Sequence, residues 1–144
     1  MKKKKPMTRS QNMARVKSKS TKPEVFLRKL LWYKGFRYRL NYKELPGSPD
    51  LYIPKYKVAI FVNGCFRHMH ENCRYSSIPK NNHDFLKKKL EGNVERDKQN
   101  YSKLERMCIK VIVVWGCEIK QMMKDEDFLE KHFCNILYAI TNYI

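Results

Sequence analysis

The sequence predicts an α/β fold in which a mixed central sheet is flanked by helices. Two runs rich in apolar and β-branched residues, 49–53 and 57–63, are typical of buried strands. Residues 83–107 instead repeat apolar side chains at helical spacing, and a third strand-like run, 109–115, follows them. Strands and helices that alternate in this way indicate a sheet covered by helices. The length of 144 residues suits one such domain.

Positive charge is concentrated at the amino end of the chain. Residues 1–40 hold 14 of the 31 lysines and arginines and one acid, Glu24, so they carry +13 of the formal net charge of +17. Such a block is the electrostatic footprint of a polyanion, above all a nucleic acid, although it can also be a merely soluble surface. Because residues 1–20 show no hydrophobic period, we expect a flexible basic arm that orders on its partner.

The apolar content and the cysteines indicate the compartment. No apolar run approaches the roughly 20 residues of a membrane span, and the charged residues 1–6 have no apolar stretch behind them. We therefore expect no membrane partner, no signal peptide and a cytoplasmic location. In that reducing compartment the five cysteines predict metal ligation or burial rather than disulfides. Cys108 and Cys134 lie on apolar stretches and are predicted to be core residues.

The first helix is predicted to begin at Thr21 and to end at Gly35. Thr21 suits the N-cap, Pro23 suits the first turn, and Glu24 three residues after the cap would complete a capping box. As the one acid among 40 mostly basic and neutral residues, Glu24 also has a second interpretation, in which it orients a group in an active site. Residues 36–40 then alternate apolar and basic side chains, which predicts a half-exposed strand.

The two central strands are predicted to form an antiparallel hairpin about the connection Pro54-Lys55-Tyr56. In that register Asp50 lies opposite Phe61 or Val62, and the loop 63–70 leaves the sheet beside it. The acid and the histidines of the loop are therefore brought together. A last helix over about 124–142 completes the fold.

Four soft ligands are spaced as in a metal site. Cys65, His70 and Cys73 form a C-x4-H-x2-C set, and Cys117 at the end of strand 109–115 can close it. Tetrahedral Zn²⁺ held by three cysteines and one histidine is a standard structural site, and here it would staple the loop to that strand. Spacing alone leaves open that these cysteines are buried free thiols.

Asp50 is the hard ligand of the sequence. It follows Ser48-Pro49 and precedes an apolar run, so we expect it at the mouth of the sheet, although a lone strand carboxylate is more often a turn or capping group. A carboxylate, a backbone carbonyl and phosphate oxygens together are a usual Mg²⁺ site. Mg²⁺ stabilises charge on a scissile phosphate and lowers the pKa of its bound water, which indicates a metal-dependent nuclease.

His68 is the best general base, because imidazole titrates near neutral pH. Its other interpretations are a surface histidine or a fifth zinc candidate. His68 and His70 lie two residues apart, and we expect one histidine on zinc and one on the reaction.

Six separate motifs occur in order between about residue 8 and residue 120. They are Asn12-Met13, Ser20-Thr21-Lys22-Pro23-Glu24, Leu45-Pro46-Gly47-Ser48-Pro49-Asp50, Phe61-Val62-Asn63-Gly64-Cys65-Phe66-Arg67-His68-Met69-His70, Asn93-Val94-Glu95-Arg96-Asp97 and Val113-Val114-Trp115-Gly116-Cys117-Glu118. Together they resemble the very-short-patch-repair (Vsr) family of DNA mismatch endonucleases.

The resemblance implies a restriction-endonuclease-like fold, with residues 21–144 as the endonuclease domain and residues 1–20 as a DNA-contacting arm. It implies a nick 5′ to the thymine of a T·G mismatch left when 5-methylcytosine deaminates. By match of motif, Asp50 binds catalytic Mg²⁺ with help from the Val62 carbonyl, His68 is the base, and Glu24 is a supporting acid. We expect a monomer acting on double-stranded DNA, with mismatch-repair proteins as candidate partners.

The same resemblance assigns a structural and a DNA-wedging set of residues. The residues that match the family's zinc ligands are Cys65, His70, Cys73 and Cys117. The residues that match the wedge entering the DNA stack at the mismatch are Met13 and Phe66.

Two positions depart from the family pattern. Asn63 takes a catalytic position where the family usually has histidine, and an amide can hydrogen-bond but cannot carry a proton at neutral pH. Arg67 takes a wedge position where the family usually has tryptophan. Since stacking is worth roughly 1–3 kcal/mol per base, mismatch preference is expected to weaken about 5- to 150-fold. The alternative function is therefore a zinc-stabilised basic DNA-binding protein with weak or no mismatch-specific cleavage.

Overall fold

The structure, a computed structural model, describes residues 21–141. The predicted arm, with Met13 in it, and residues 142–144 lie outside this range. The described elements, in chain order, are α1 (Lys22–Tyr33), β1 (Arg39–Leu40), β2 (Leu51–Ile53), β3 (Val58–Asn63), a 3-10 turn (Arg74–Ser76), α2 (His83–Arg106), β4 (Lys110–Trp115), α3 (Gly116–Lys124) and α4 (Glu126–Thr141). Within residues 21–141, no helix is long and apolar enough to cross a bilayer.

The strands form one mixed sheet in the order β1-β2-β3-β4. β1 pairs antiparallel with β2, and β2 with β3 in the predicted hairpin, whereas β3 and β4 run parallel. The start of β2 therefore lies beside the end of β3. The parallel pair also ends together, with Asn63 opposite Trp115. One end of the sheet thus gathers the loops that leave three strands.

Helices cover both faces of this sheet. Along β3, Val58 and Ile60 face one apolar cluster, whereas Ala59 and Phe61 face another, as expected for a strand buried on both sides. The larger cluster packs against α1, α3 and α4, and the smaller one packs against α2. The predicted mixed α/β architecture with flanking helices is confirmed. The larger cluster contains the buried residues Leu27, Leu31, Leu51, Ile53, Val58, Ile60, Val114, Ile119, Met122, Phe133, Ile136 and Ile140.

The ends of α1 follow the prediction, but the capping box does not form. Thr21 occupies the N-cap position without a side-chain capping hydrogen bond. Gly35 ends the helix with a φ of 92°, a left-handed conformation that glycine adopts without a steric cost. Its N–H donates to the Trp32 carbonyl at 3.0 Å. The half of the predicted capping box that Thr21 would supply is therefore absent.

A short helix that the sequence analysis did not predict precedes the last one. α3 begins directly after β4 and ends at Lys124, and Asp125 separates it from α4. Asp125 Oδ1 accepts hydrogen bonds from the N–H groups of Asp127 at 3.0 Å and Phe128 at 3.2 Å, which caps the start of α4. α4 corresponds to the predicted last helix.

Three surface assignments differ from expectation. The predicted strand 36–40 shrinks to the exposed pair Arg39–Leu40. Cys108 and Cys134 are exposed instead of buried. Cys108 lies in the turn before β4 with a φ of 62°, so the apolar residues around it pack inward without it.

Candidate active site and metal centre

Asp50 lies at the start of β2, beside the end of β3. Leu51 pairs with Ile60, so Asp50 falls opposite Phe61, as the hairpin predicted. Its Oδ2 accepts a hydrogen bond of 2.7 Å from the backbone N–H of Val62. The register therefore ties the carboxylate to the neighbouring strand, and its second oxygen can bind another group.

A cleft of about 340 Å³ opens at this end of the sheet. It brings together three predicted site residues from separate segments, namely Glu24 in the first turn of α1, Asp50, and His68 in the loop after β3. Glu24 and His68 both lie close enough to act on the charge of Asp50. The cleft lining also includes Val62, Asn63, Arg67 and Asp97.

The environment of Asp50 disfavours its negative charge. Burial raises the pKa of Asp50 from 3.8 to about 6, and the Glu24 carboxylate adds to the rise. The hydrogen bond from Val62 and the proximity of His68 act in the opposite direction. A partly buried carboxylate near a second acid suits a divalent cation, because the cation stabilises the ionised form.

His68 is held at the cleft by its own loop and by α2. The His68 N–H donates to the Gly64 carbonyl at 3.2 Å, so the chain folds back after β3. On the side-chain end, His68 Nδ1 contacts Oδ2 of Asp97. A carboxylate at Nδ1 favours the tautomer that carries its proton there, which leaves Nε2 as the proton acceptor.

Three polar residues of α2 face the site because they recur every four residues. Asn93, Asp97 and Tyr101 share one face of the helix. Asn93 Nδ2 donates to the Arg67 carbonyl at 3.2 Å, and Tyr101 Oη accepts a bond of 2.9 Å from Asn63 Nδ2. The sequence analysis assigned no role to Asp97 or Tyr101. The polar repeat at i, i+4 and i+8 is the signal that could have found them.

Asn63, the last residue of β3, has a fixed side chain. It is only 4% exposed, and its amide donates to the Tyr101 phenol. Burial raises the pKa of Tyr101, and its ring packs against Phe61 with centroids 4.9 Å apart. The amide is therefore an anchored hydrogen-bonding group that cannot carry a proton at neutral pH.

The four residues predicted as soft metal ligands also lie close together in the structure. One ligand atom from each residue lies within 4.8 Å of all the others in the set Cys65, His70, Cys73 and Cys117. His70 Nδ1 lies 3.4 Å from Cys117 Sγ, and the imidazole stacks on Trp115 with centroids 4.0 Å apart. His70 thus lies in this group of ligands, whereas His68 lies at the cleft, so the two histidines are separated as predicted.

The sheet register explains why a cysteine so distant in sequence completes the set. Asn63 pairs with Trp115 at the end of the parallel strands. Cys65 and Cys117 each lie two residues beyond that pair, so both chains leave the sheet side by side.

This donor set fits a tetrahedral metal ion. Zn–S bonds of about 2.3 Å and Zn–N bonds of about 2.0–2.1 Å place neighbouring ligand atoms roughly 3.5–3.8 Å apart, close to the separation of His70 from Cys117. Burial and then the neighbouring Cys65 and Cys73 raise the pKa of Cys117 to about 12. Three clustered thiols cannot all ionise without a compensating cation, so the group is suited to a soft divalent metal.

The predicted wedge residues that the structure describes lie on the same loop. Phe66 is partly buried, whereas Arg67 is exposed at the cleft. An exposed Arg67 beside the cleft is placed to meet a polyanion.

The chain matches one family model and several known proteins. The family model of the DNA mismatch endonuclease Vsr matches residues 1–74, half of the chain. The type II nicking enzyme V.NmeAIP of Neisseria meningitidis serogroup A is 49% identical over 112 residues, which cover 78% of this chain and 79% of that enzyme. This chain belongs to the Vsr family of DNA mismatch endonucleases.

Other relatives of this Vsr-family protein match more of its length. The type II nicking enzyme V.XorIIP of Xanthomonas oryzae pv. oryzae is 40% identical over 132 residues, covering 92% of this chain and 93% of that enzyme. The DNA mismatch endonuclease Vsr of Escherichia coli K12 is 34% identical over 126 residues, covering 86% and 80%. As a Vsr-family member, the protein is a DNA endonuclease whose relatives include nicking enzymes.

Proposed function

We propose that this Vsr-family endonuclease nicks duplex DNA 5′ to the thymine of a T·G mismatch in a Mg²⁺-dependent reaction. The observation that carries the proposal is the cleft in which Asp50, Glu24 and His68 meet. A hydrolytic site needs a cation-binding carboxylate and a base at one scissile phosphate, and these side chains come from three segments to one place.

Asp50 would hold the Mg²⁺, with the Val62 carbonyl and Glu24 as supporting groups. The fit rests on this partly buried carboxylate, whose pKa of about 6 a cation would lower. When bound, Mg²⁺ supplies charge stabilisation at the scissile phosphate and a more acidic water. The Val62 N–H holds Asp50 in place, so the carboxylate is already oriented when substrate arrives.

His68 would act as the general base. Asp97 holds the ring at Nδ1, so Nε2 accepts a proton from the water that attacks phosphorus. Asp97 then stabilises the imidazolium that this transfer creates. Asn63, fixed by Tyr101, would contribute a hydrogen bond to a phosphate oxygen but no proton.

The metal centre would hold Zn²⁺ as a structural ion. The three thiols and one imidazole favour zinc over hard cations, and the site joins the catalytic loop to the end of β4. We further propose that the sheet and its helices are a restriction-endonuclease-like fold, with residues 1–20 as a DNA-contacting arm. The proposed setting is the cytoplasm, where the protein would act as a monomer.

Arg67 is proposed to replace the usual aromatic wedge beside Phe66. A guanidinium can stack on a base and bind a phosphate, but it offers less apolar area than tryptophan. Mismatch preference is therefore expected to be weaker than with tryptophan, by about 5- to 150-fold.

The deciding assay incubates a labelled T·G duplex and a matched duplex with the protein and Mg²⁺. A single nick 5′ to the mismatched thymine is expected, with slower cutting of the matched duplex. Absence of product at high enzyme concentration would overturn the proposal, and equal cutting of both duplexes would refute its mismatch specificity.

Variants of the cleft test the assigned roles. Asp50→Ala is expected to abolish nicking while DNA binding persists, and His68→Ala is expected to lower the rate by about 10²–10⁴, the usual worth of a general base. Glu105→Ala, an exposed acid near the far end of α2, is the matched control and should nick normally. Cleavage retained by Asp50→Ala would rule out the proposed cation site.

A further inference from the structure

A group of cationic side chains surrounds one tyrosine beside the metal centre and outside the catalytic cleft. We call Arg74, Tyr75, Lys120 and Lys124 the Tyr75 cluster. Arg74 Nη2 donates to Tyr75 Oη at 2.8 Å, and the guanidinium carbon lies 4.8 Å from the ring centroid. Lys120 Nζ also lies 4.8 Å from the ring centroid. The ring therefore contacts cationic side chains from two separate segments of the chain.

The metal ligands bring these segments together. Arg74 directly follows Cys73, and Lys120 lies three residues after Cys117. The Sγ atoms of both cysteines belong to the group within 4.8 Å. Lys124 lies one helical turn beyond Lys120 and presents its charge on the same face of α3.

The cationic groups of the Tyr75 cluster are accessible to an external anion. Tyr75 is 45% exposed, and Arg74, Lys120 and Lys124 are exposed as well. Within residues 21–141, no carboxylate forms an ion pair with any of the three cations. Arg74, Lys120 and Lys124 all lie close enough to Tyr75 for their charges to act on its hydroxyl. Like charges held this close repel one another, so an anion would relieve the repulsion.

We propose that the Tyr75 cluster binds phosphates of the DNA backbone to one side of the cleavage position. Guanidinium and ammonium groups bind phosphate oxygens, and the Tyr75 hydroxyl can still donate its own proton because it only accepts from Arg74. This inference deepens the proposed function and rests on it for the duplex DNA substrate. It adds a contact that neither the cation site nor the mismatch wedge supplies.

Chain length limits where the contacted phosphates lie. Six residues separate His68 from Arg74, and an extended chain of six residues spans at most about 20 Å. Since phosphates follow one another at about 3.4 Å of helix axis along a strand, the contacts fall within about one turn of the scissile phosphate.

The first test measures equilibrium binding without Mg²⁺, on matched and T·G duplexes, across a salt series. Lys120→Gln/Lys124→Gln is expected to weaken binding roughly tenfold and to reduce the slope of log affinity against log salt by about 1–2. The control Lys103→Gln/Arg106→Gln removes the same charge at the far end of α2 and should change neither quantity. An unchanged salt slope in the cluster variant, or an equal change in the control, would overturn the proposal.

The second test locates the contact on the DNA. Single phosphates over ten nucleotides on each side of the mismatch are replaced by neutral methylphosphonates. The wild-type protein should lose affinity at one or two flanking positions where Lys120→Gln/Lys124→Gln shows no further loss. If both proteins lose affinity equally at every position, the cluster does not bind the backbone.

Two controls distinguish the loss of a DNA contact from a loss of folding or of catalysis. Metal content and unfolding temperature are compared with those of the wild type, and the map is repeated with Arg74→Gln, which approaches the same phosphates from the other segment. Because binding is read without Mg²⁺, a protein that fails to nick T·G DNA still gives the salt slope.

Discussion

Replacing Asp50 by Asn should make the Mg²⁺-free protein more stable while it removes activity. The folded protein holds Asp50 in a partly buried position near Glu24, where its pKa rises from 3.8 to about 6. Asn removes the charge, keeps a similar shape and can still accept the hydrogen bond from Val62. The substitution therefore deletes an electrostatic penalty with little change in packing.

The sign and size of the effect follow from proton linkage. Below pH 3.8 Asp50 is protonated in both states and contributes nothing. Between pH 3.8 and about 6 the folded state keeps a proton that the unfolded state has lost, so stability falls as pH rises. The penalty is about 1.5 kcal/mol at pH 5 and reaches about 3 kcal/mol at pH 7, at about 1.36 kcal/mol per pKa unit. Asp50→Asn should be more stable than the wild type by up to these amounts.

The assay is urea unfolding followed by circular dichroism from pH 5 to pH 8, without added Mg²⁺ and with the structural metal retained. The gap in unfolding free energy between Asp50→Asn and wild type should widen with pH. Adding Mg²⁺ at ten times its Kd should then stabilise the wild type by about 1.4 kcal/mol and leave Asp50→Asn unaffected. A gap that is absent, or that is the same at pH 5 and pH 8, would refute the buried-charge argument.

Three further predictions concern other residues of the cleft and of the metal centre. Asp97→Ala should slow single-turnover nicking about 10²-fold or more with little change in DNA affinity, because His68 loses its orienting partner; a normal rate would contradict the dyad. Tyr101→Phe should lower the unfolding free energy by about 1–3 kcal/mol, because the buried Asn63 amide loses its acceptor; adding Asn63→Ala should then cost less than it does alone, and strict additivity would count against the pair. Cys117→Ser should lose the bound metal and several kcal/mol of stability, measured by elemental analysis and urea unfolding; unchanged metal content would show that Cys117 is not a ligand.

Local patterns in the sequence were enough to predict the positions of Asp50 and the soft ligands. A short turn joins two strands whose apolar pattern marks both as buried, so the hairpin limits the position opposite Asp50 to Phe61 or Val62, both near the end of β3. Cys117 was also found from sequence because it follows a predicted buried strand directly. In each case one neighbouring element determines the position of the side chain.

Asp97 and Tyr101 were missed because their partners are distant in sequence. Asp97 lies 29 residues from His68, and Tyr101 lies 38 residues from Asn63. Their contacts depend on how α2 is rotated over the sheet, which packing of the whole helix determines. The charge on Asp97 and the apolar ring of Tyr101 looked like ordinary surface and core features of an amphipathic helix. The short α3 was missed because it has only nine residues and follows β4 directly, with no turn between them to mark a new element.

Because Asn63 pairs with Trp115 in the parallel strands, a metal ion held by the four ligands would also cross-link two distant parts of the chain. Ligation would close a covalently continuous ring of chain from Cys65 to Cys117, much as a disulfide would. For a ring of about 52 residues the lost freedom of the unfolded chain is worth about 4 kcal/mol. A reducing cytoplasm would break a disulfide there but leave a thiolate–metal cross-link intact. Removing that ion while Mg²⁺ is kept in excess should therefore release the loop that carries His68 and inactivate the nuclease, the result expected of a purely structural ion.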